Sequence, residues 1–185
     1  MCPLQHFSGL KFFETFGDLC YTIYSHAVGL RDLGPTMAPQ NAFLTITGIE
    51  TLPLRMDKHV SNAKAVAQWL EQDDRVKSVQ YAGLEKSSSF LLAKKYMPKG
   101  AGSVFTFEIV DGSTGSDVVE RCELFSLLAN VGDTRSLILH PASTTHRQLT
   151  TAQRENAGAG DSVIRLSVGI ENVEDLINDL DYALG

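Results

Sequence analysis

The fold is decided near the carboxyl end of the chain, where a strand pattern runs directly into a helix pattern: VIRLSVGI and then ENVEDLINDLDYAL, residues 163–184. Every second residue of the first part is a large apolar one, namely Ile164, Leu166, Val168 and Ile170. Because successive side chains of a strand point to opposite faces, these four predict a buried face. The other face then carries small or polar residues around a single arginine, Arg165.

The second part has the spacing of an amphipathic helix. Its apolar residues recur every three or four positions, at Val173, Leu176, Ile177, Leu180 and Leu184. Asn172 suits the residue that caps a helix start, and two acidic residues follow in the first turn. The sequence therefore predicts a buried strand followed by a helix that packs on it.

The same two periods recur towards the amino end. Strands are predicted at residues 76–81, 103–110 and 125–129, helices at 88–96 and 116–124, and a turn at Asp111-Gly112-Ser113. Alternating strands and helices allow a parallel sheet, whereas the short connections equally allow a mixed or antiparallel sheet covered by helices on one face. The first arrangement is α/β and the second is α+β.

Two long helical patterns precede these strands. The first runs from about residue 12 to residue 30 and stops at Gly34-Pro35; the second runs from 39 to 71, and Pro53 is expected to kink or divide it. We expect residues 1–38 to form an arm and linker, and residues 39–185 to form the domain. With four phenylalanines in its first sixteen residues, the arm is expected to pack on something.

Composition excludes several classes of function. The 22 acidic and 16 basic residues give a formal charge of −6, which argues against nucleic-acid binding. We see no signal-peptide pattern and no apolar run near the roughly 20 residues of a membrane span, so we expect a cytoplasmic protein that binds no membrane. Three cysteines without a C-x-x-C pair suggest neither disulfides nor zinc.

Three polar segments are candidates for chemistry. Arg165 could hold a carboxylate through two parallel hydrogen bonds, or could simply face water. Asn130 begins an Asn-Val-Gly-Asp segment in which its side chain could offer a ligand both a donor and an acceptor, or which could be an ordinary turn. In the HPASTTH run, residues 140–146, the two histidines lack zinc-ligand spacing and Ser143 lacks a nucleophile elbow, so no metal ligand is assigned.

Several motifs carry a family resemblance when they are taken in order. They are RDLGP at 31–35, NAFL at 41–44, GIETLPLR at 48–55, the HPASTTH run, and IRLSVGIE at 164–171. Together they resemble the C-terminal portion of the pyridoxal-phosphate enzymes of cysteine and methionine metabolism, most closely the O-acetylhomoserine sulfhydrylases. The resemblance implies the small C-terminal domain of a fold-type I pyridoxal-phosphate enzyme, with a short mixed or antiparallel sheet covered by helices.

The resemblance also implies roles for three residues. Arg165 matches the arginine that binds the substrate α-carboxylate, Asn130 falls where a serine or asparagine supports that carboxylate, and Thr145 matches a threonine near the reactive centre. The cofactor lysine of the family stands in a serine-alanine/threonine-lysine setting. None of the eight lysines here does, so no catalytic or cofactor-binding residue is assigned.

The implied function is the replacement of the γ-acetoxy group of O-acetylhomoserine by sulfide or a thiol, in homocysteine and methionine biosynthesis. Pyridoxal 5'-phosphate belongs to the complete enzyme, and the chain alone is expected to hold none and to be inactive. Its partners would be the amino-acid substrate, a cofactor-binding large domain or homologous subunit, and further copies in a homo-oligomer. Two alternatives remain: an enzyme of specialised metabolism using another nucleophile, and a non-catalytic module docking on full-length homologues.

Overall fold

A computed structural model of the protein describes residues 9–110 and 114–185. The chain divides into two compact units, Met1–Glu50 and Thr51–Gly185. The turn predicted at residues 111–113 lies outside the described residues, and the domain boundary after residue 38 stays a prediction. Among the residues described, no helix is both long enough and apolar enough to cross a bilayer.

The first unit is helical. It consists of α1 (Phe12–Phe16), a 3-10 turn (Gly17–Leu19), α2 (Cys20–Tyr24), a π-helical stretch (Ser25–Leu33) and α3 (Pro39–Glu50). These elements confirm the helical pattern expected from residue 12 to residue 30, and Gly17 interrupts it with a φ of 51°. The Phe12 ring is buried and meets the Tyr24 ring edge-on, with 5.1 Å between centroids.

The second unit contains five helices within its described residues. They are α4 (Leu52–Leu70), α5 (Phe90–Tyr96), α6 (Gly115–Arg121), α7 (Thr151–Asn156) and α8 (Val173–Leu184). The expected division at Pro53 is confirmed, because α4 starts beside this proline, where a missing N–H costs nothing. The sequence patterns did not predict α7, although Thr150 and Gln153 form a capping box at its start.

Five strands form one sheet in the order β1-β2-β5-β4-β3. They are β1 (Val76–Gln80), β2 (Val104–Ile109), β3 (Ser126–Leu127), β4 (Leu137–Leu139) and β5 (Val163–Ser167). The pairs β1–β2, β2–β5 and β5–β4 are antiparallel, and β3 runs parallel to β4. The sheet is therefore mixed, which decides between the two arrangements that the sequence left open. β4 was not among the expected strands.

One face of the sheet is the core, and α4, α6 and α8 contribute residues to it. Ile164, Leu166 and Val168 are fully buried there, as the alternation predicted, whereas Ile170 lies beyond the end of β5 and is only half-buried. The Asp179 carboxylate on α8 accepts hydrogen bonds from three successive backbone N–H groups, those of residues 123–125, at 2.8–3.1 Å. These bonds tie α8 to the chain that leads into β3.

Candidate functional site

Arg165 lies at the middle of β5, on the face of the sheet opposite the core. The register places it between Thr106 of β2 and Leu139 of β4. The residue is half-buried, and within the described part of the chain its guanidinium has no hydrogen-bond or ion-pair partner. A charge that is partly withdrawn from water and has no partner is costly, and an arriving carboxylate offsets that cost with two parallel hydrogen bonds.

The other half-buried arginines that the structure describes all have partners. Arg55 bonds to a threonine of its own helix, Arg75 to two aspartates, and Arg154 to Asp161. The carboxylate on the same sheet face as Arg165, that of Glu108, is held by the Lys77 ammonium at 2.8 Å. Hydrogen bonding by Lys77 also lowers the pKa of Glu108. That carboxylate is therefore committed elsewhere.

Ser167 lies two residues further along the face that carries Arg165. It is 4% exposed, and its hydroxyl has no partner among the described residues. Most buried polar atoms in proteins are hydrogen-bonded, so an orphaned one marks a place where a water or another group completes the structure. This face thus combines an unpaired cation with an unsatisfied hydroxyl.

Asn130 belongs to the loop that connects β3 to β4. It is exposed, and its side-chain oxygen accepts a hydrogen bond from the N–H of Val131 at 2.9 Å, which leaves the amide NH2 group to donate elsewhere. Gly132 has a φ of 77°, a conformation that residues with a Cβ rarely adopt. The Arg135 N–H donates to Asp133 at 3.0 Å and holds the pKa of that carboxyl below its usual value. The segment bends at residues 131–132, whereas no hydrogen-bonded turn is found there among the described residues.

Thr145 lies in the turns that follow β4. It is exposed, and its hydroxyl lies 2.9 Å from Nδ1 of His146. His140, at the start of this segment, is buried and uses both ring nitrogens within the fold: Nδ1 lies 2.9 Å from the Ser143 hydroxyl, and Nε2 lies 3.0 Å from the Asp161 carbonyl oxygen. His140 therefore shapes the loop that carries Thr145.

The three candidate residues come from neighbouring elements. Because β3 and β4 are parallel and Leu127 pairs with Ile138, the loop that carries Asn130 leaves the sheet at the end where β4 stops. At that same end Leu139, the last residue of β4, pairs with Arg165, and the segment carrying Thr145 begins just beyond it. Among the residues described, no two of these three side chains are hydrogen-bonded to each other. What the three share is the end of the sheet at which their segments lie.

A network that the sequence patterns did not reveal fixes the loop from its other side. Ser136, directly before β4, donates its backbone N–H and its hydroxyl to the two carboxylate oxygens of Glu171, at 2.6 and 2.9 Å. The same hydroxyl accepts the N–H of Gly169 at 2.7 Å. These residues lie 33 or more positions apart, and no local periodicity could have predicted the contact. We call Ser136, Gly169 and Glu171 the clamp.

The lysines are all on the surface. Lys11, Lys58, Lys64, Lys77, Lys86, Lys94, Lys95 and Lys99 each fall within the described residues, and each is exposed. A lysine that carries a Schiff base to pyridoxal phosphate works inside a site that holds the cofactor. Among the described residues, none of the eight lysines lies in such an enclosed site.

The chain is similar to known proteins along nearly its whole length. A family model described as "Cys/Met metabolism PLP-dependent enzyme" matches residues 8–185. The O-acetyl-L-homoserine sulfhydrylase of Leptospira meyeri is 43% identical over 192 residues, which cover 98% of this chain and 43% of that protein. The homocysteine synthase of Schizosaccharomyces pombe is 44% identical over 183 residues, which cover 98% of this chain and 43% of that protein.

A solved structure from Campylobacter jejuni is also similar. It is described as an O-acetylhomoserine (thiol)-lyase with a pyridoxyl-lysine monophosphate group; it is 40% identical, has a TM-score of 0.84, and is matched over 99% of this chain and 44% of that one. A cystathionine gamma-lyase from Lactobacillus plantarum, in complex with L-serine, has a TM-score of 0.74 at 34% identity, over 82% of this chain and 39% of that one.

The chain belongs to the family of pyridoxal-phosphate-dependent enzymes of cysteine and methionine metabolism. The fold class that the motifs implied, that of fold-type I pyridoxal-phosphate enzymes, is confirmed. The chain spans less than half the length of the relatives that it matches.

Proposed function

We propose that this chain is the substrate-binding portion of a pyridoxal-phosphate-dependent sulfhydrylase, which replaces the γ-acetoxy group of O-acetylhomoserine by sulfide or a thiol. One observation carries the proposal: Arg165, in a chain that is 43% identical to an O-acetyl-L-homoserine sulfhydrylase, is a half-buried guanidinium with no partner among the described residues. An amino-acid substrate supplies the anion that this guanidinium lacks.

Each candidate residue has a defined part in the proposed site. Arg165 binds the α-carboxylate of the substrate through both edges of the guanidinium fork. Asn130 donates its free amide N–H groups to the same carboxylate, and Thr145 contributes a hydroxyl beside the reacting centre. Support for grouping them comes from the register, which brings all three segments to one end of the sheet.

The cofactor lysine of this proposal is supplied by another part of the protein or by a second polypeptide. Support comes from the eight lysines, all of which are exposed. Pyridoxal phosphate would provide the electron sink for chemistry at the γ-carbon. We assign no step of that chemistry to residues of this chain. The chain alone is accordingly proposed to hold no cofactor and to be inactive.

A chimaera tests the proposal. This chain replaces the matching segment of the Leptospira meyeri sulfhydrylase, and the product of O-acetyl-L-homoserine and sulfide is measured. Formation of homocysteine supports the proposal, and a folded chimaera that binds cofactor but forms none contradicts it. Assays with other nucleophiles in place of sulfide test the alternative of an enzyme of specialised metabolism. The nucleophile that gives the highest kcat/KM identifies the reaction.

A second candidate, a non-catalytic module that docks on full-length homologues, is favoured by the first unit. Phe13, Leu33 and Phe43 are 63%, 85% and 63% exposed, and further apolar side chains of the unit are open as well. Apolar surface of this extent marks an interface. Size exclusion of this chain mixed with a full-length relative decides: a complex without gain of activity supports docking, and two unshifted peaks contradict it.

The proposal also covers the oligomeric state of the protein and its location in the cell. The same open apolar surface supports a homo-oligomer of the complete protein, with sites built from more than one part. The expected cytoplasmic location, and the absence of nucleic-acid and membrane partners, rest on the charge and the absence of targeting patterns in the sequence, and they stay predictions.

A further inference from the structure

The clamp joins the ends of two strands that run side by side. Glu171 lies beyond β5, and Ser136 is the residue before β4, so the two hydrogen bonds between them, at 2.6 and 2.9 Å, bridge the termini of this antiparallel pair. Next to them, the Ile170 N–H donates to the Thr134 carbonyl oxygen at 2.9 Å. The last residues of the β3–β4 loop are thereby fixed to the segment that follows Arg165.

Helix α4 holds that segment from the core side. His59 Nδ1 lies 2.6 Å from the Val168 carbonyl oxygen, and the Asn62 side-chain amide donates to the carbonyl oxygens of Gly169 and Glu171 at 3.0 and 2.8 Å. His59 and Asn62 are almost fully buried. The backbone that carries Glu171 is therefore held rigidly before its carboxylate reaches Ser136.

The clamp leaves little space for adjustment. A Cβ on Gly169 would lie 2.4 Å from both the Glu171 carboxylate and the Thr134 carbonyl oxygen. The loop is thus pressed against the end of β5 at one side, while at its other side it emerges from β3, where Leu127 is paired with Ile138. Asn130 lies between these two attachments.

We propose that Glu171 is a positioning residue: its carboxylate holds the β3–β4 loop against the end of β5 and so sets the distance between Asn130 and Arg165 that a substrate carboxylate must span. This inference rests on the proposed function for its kinetic consequence. It concerns a residue that touches no substrate and acts only through the loop.

The donors and acceptors of the clamp require a carboxylate. Ser136 offers Glu171 two donors, the N–H and the O–H, while its oxygen accepts from Gly169. In Glu171→Gln one carboxylate oxygen becomes an NH2 group, which must face the Ser136 hydroxyl as a second donor. That hydroxyl then loses its acceptor, so the glutamine variant loosens the clamp although its shape is unchanged.

Hydrogen exchange in the 185-residue chain measures the clamp directly. We expect Glu171→Gln and Ser136→Ala each to speed exchange of the Gly169 amide by about tenfold, the scale of one lost charged hydrogen bond, and to leave β2 unchanged. Glu174→Gln, the same change at an exposed residue of α8, is the matched control. An unchanged exchange rate of the Gly169 amide, or an equal rise in the exchange rates of Gly169 and of β2, would contradict the proposal that the clamp holds this segment.

Steady-state kinetics of the chimaera measure the role of Glu171 in substrate binding. We expect Glu171→Gln to raise the KM for O-acetyl-L-homoserine by between about tenfold and 100-fold, since a misplacement of about 1 Å has such a cost, with far smaller changes in kcat and in the KM for sulfide. The Ser136→Ala/Glu171→Gln double variant should be no worse than the poorer single one. If the chimaera is active and its KM for O-acetyl-L-homoserine is unchanged by Glu171→Gln, only the positioning role is contradicted. If the chimaera without this substitution is inactive, the proposed function is contradicted and the positioning role with it.

Discussion

Gly169 shows at the scale of one residue how closely the site is packed. It follows Val168 on the segment beyond β5, and its N–H is part of the clamp. Its φ is not in the left-handed region, so glycine is required here for space rather than for backbone conformation. Any Cβ would meet two oxygen atoms and a backbone carbon at 2.4–2.6 Å, and the oxygens belong to groups that are themselves held by hydrogen bonds.

Replacing this glycine should therefore be costly. We expect Gly169→Ala to lower the free energy of unfolding by about 1–3 kcal/mol, the usual penalty for forcing an extra carbon into a filled space. Denaturant unfolding of the 185-residue chain measures the change. Gly160→Ala is the control, because a Cβ there would meet only Glu155, at an ordinary 3.7 Å. Equal stability of the two variants would contradict the close approach.

The positions of some residues could be predicted from the sequence, whereas the partners of others could not. Alternation along residues 163–168 correctly placed Ile164, Leu166 and Val168 in the core and Arg165 on the opposite face, because strand geometry alone decides this. It could not identify Ser136 and Glu171 as partners, since their pairing depends on the sheet topology. The structure also buries Asn62 of α4 as a hydrogen-bond donor to the backbone beyond β5, a long-range role that periodicity does not indicate.

At the scale of elements, α8 is joined to the start of β1 by one arginine. Arg75 forms a salt bridge with Asp73 at 2.6 Å and another with Asp181 on α8. The side-chain hydrogen bond from Arg75 holds the pKa of Asp73 below its ordinary value. A carboxyl whose pKa is lower in the folded state contributes stability above its unfolded pKa and loses it as the pH falls through the folded one.

This linkage predicts a pH dependence. We expect Asp73→Asn to be less stable than the wild type at pH 7, and the difference to shrink below about pH 4, where the unfolded carboxyl takes up its proton. Unfolding free energies between pH 2 and pH 7 test this. Asp57→Asn, a change at an exposed residue of α4, serves as control. A difference that persists undiminished at pH 2 would show that the salt bridge is not the cause.

Some elements could be predicted and others could not, for identifiable reasons. The long helices and the strands β1, β2 and β5 show clear periods over at least five residues. β4 has only three residues, all apolar and all buried, so it shows no alternation. It is a strand because β5 and β3 pair with it. The sequence contained the capping box of α7, but its six residues show no apolar stripe.

At the scale of the whole molecule, the two units differ in how well their apolar side chains are buried. The second unit has its own core, and the face proposed to bind the substrate carboxylate lies on its sheet. The first unit leaves large apolar side chains exposed, and all eight lysines are exposed. Both features agree with the proposal that the chain works together with a cofactor-binding domain, and the chain covers 43% of the Leptospira meyeri relative.

The role of Arg165 in the assembled enzyme is the central claim, and the kcat/KM of the chimaera for O-acetyl-L-homoserine tests it most directly. We predict that Arg165→Ala lowers kcat/KM by the equivalent of about 2–4 kcal/mol, the scale of a lost charged contact, mainly through KM. Arg165→Lys should recover only part, because an ammonium cannot form two parallel hydrogen bonds. Arg147→Ala, at an exposed arginine of the loop that carries Thr145, should change nothing. An Arg165→Ala chimaera with unchanged kcat/KM would contradict the account.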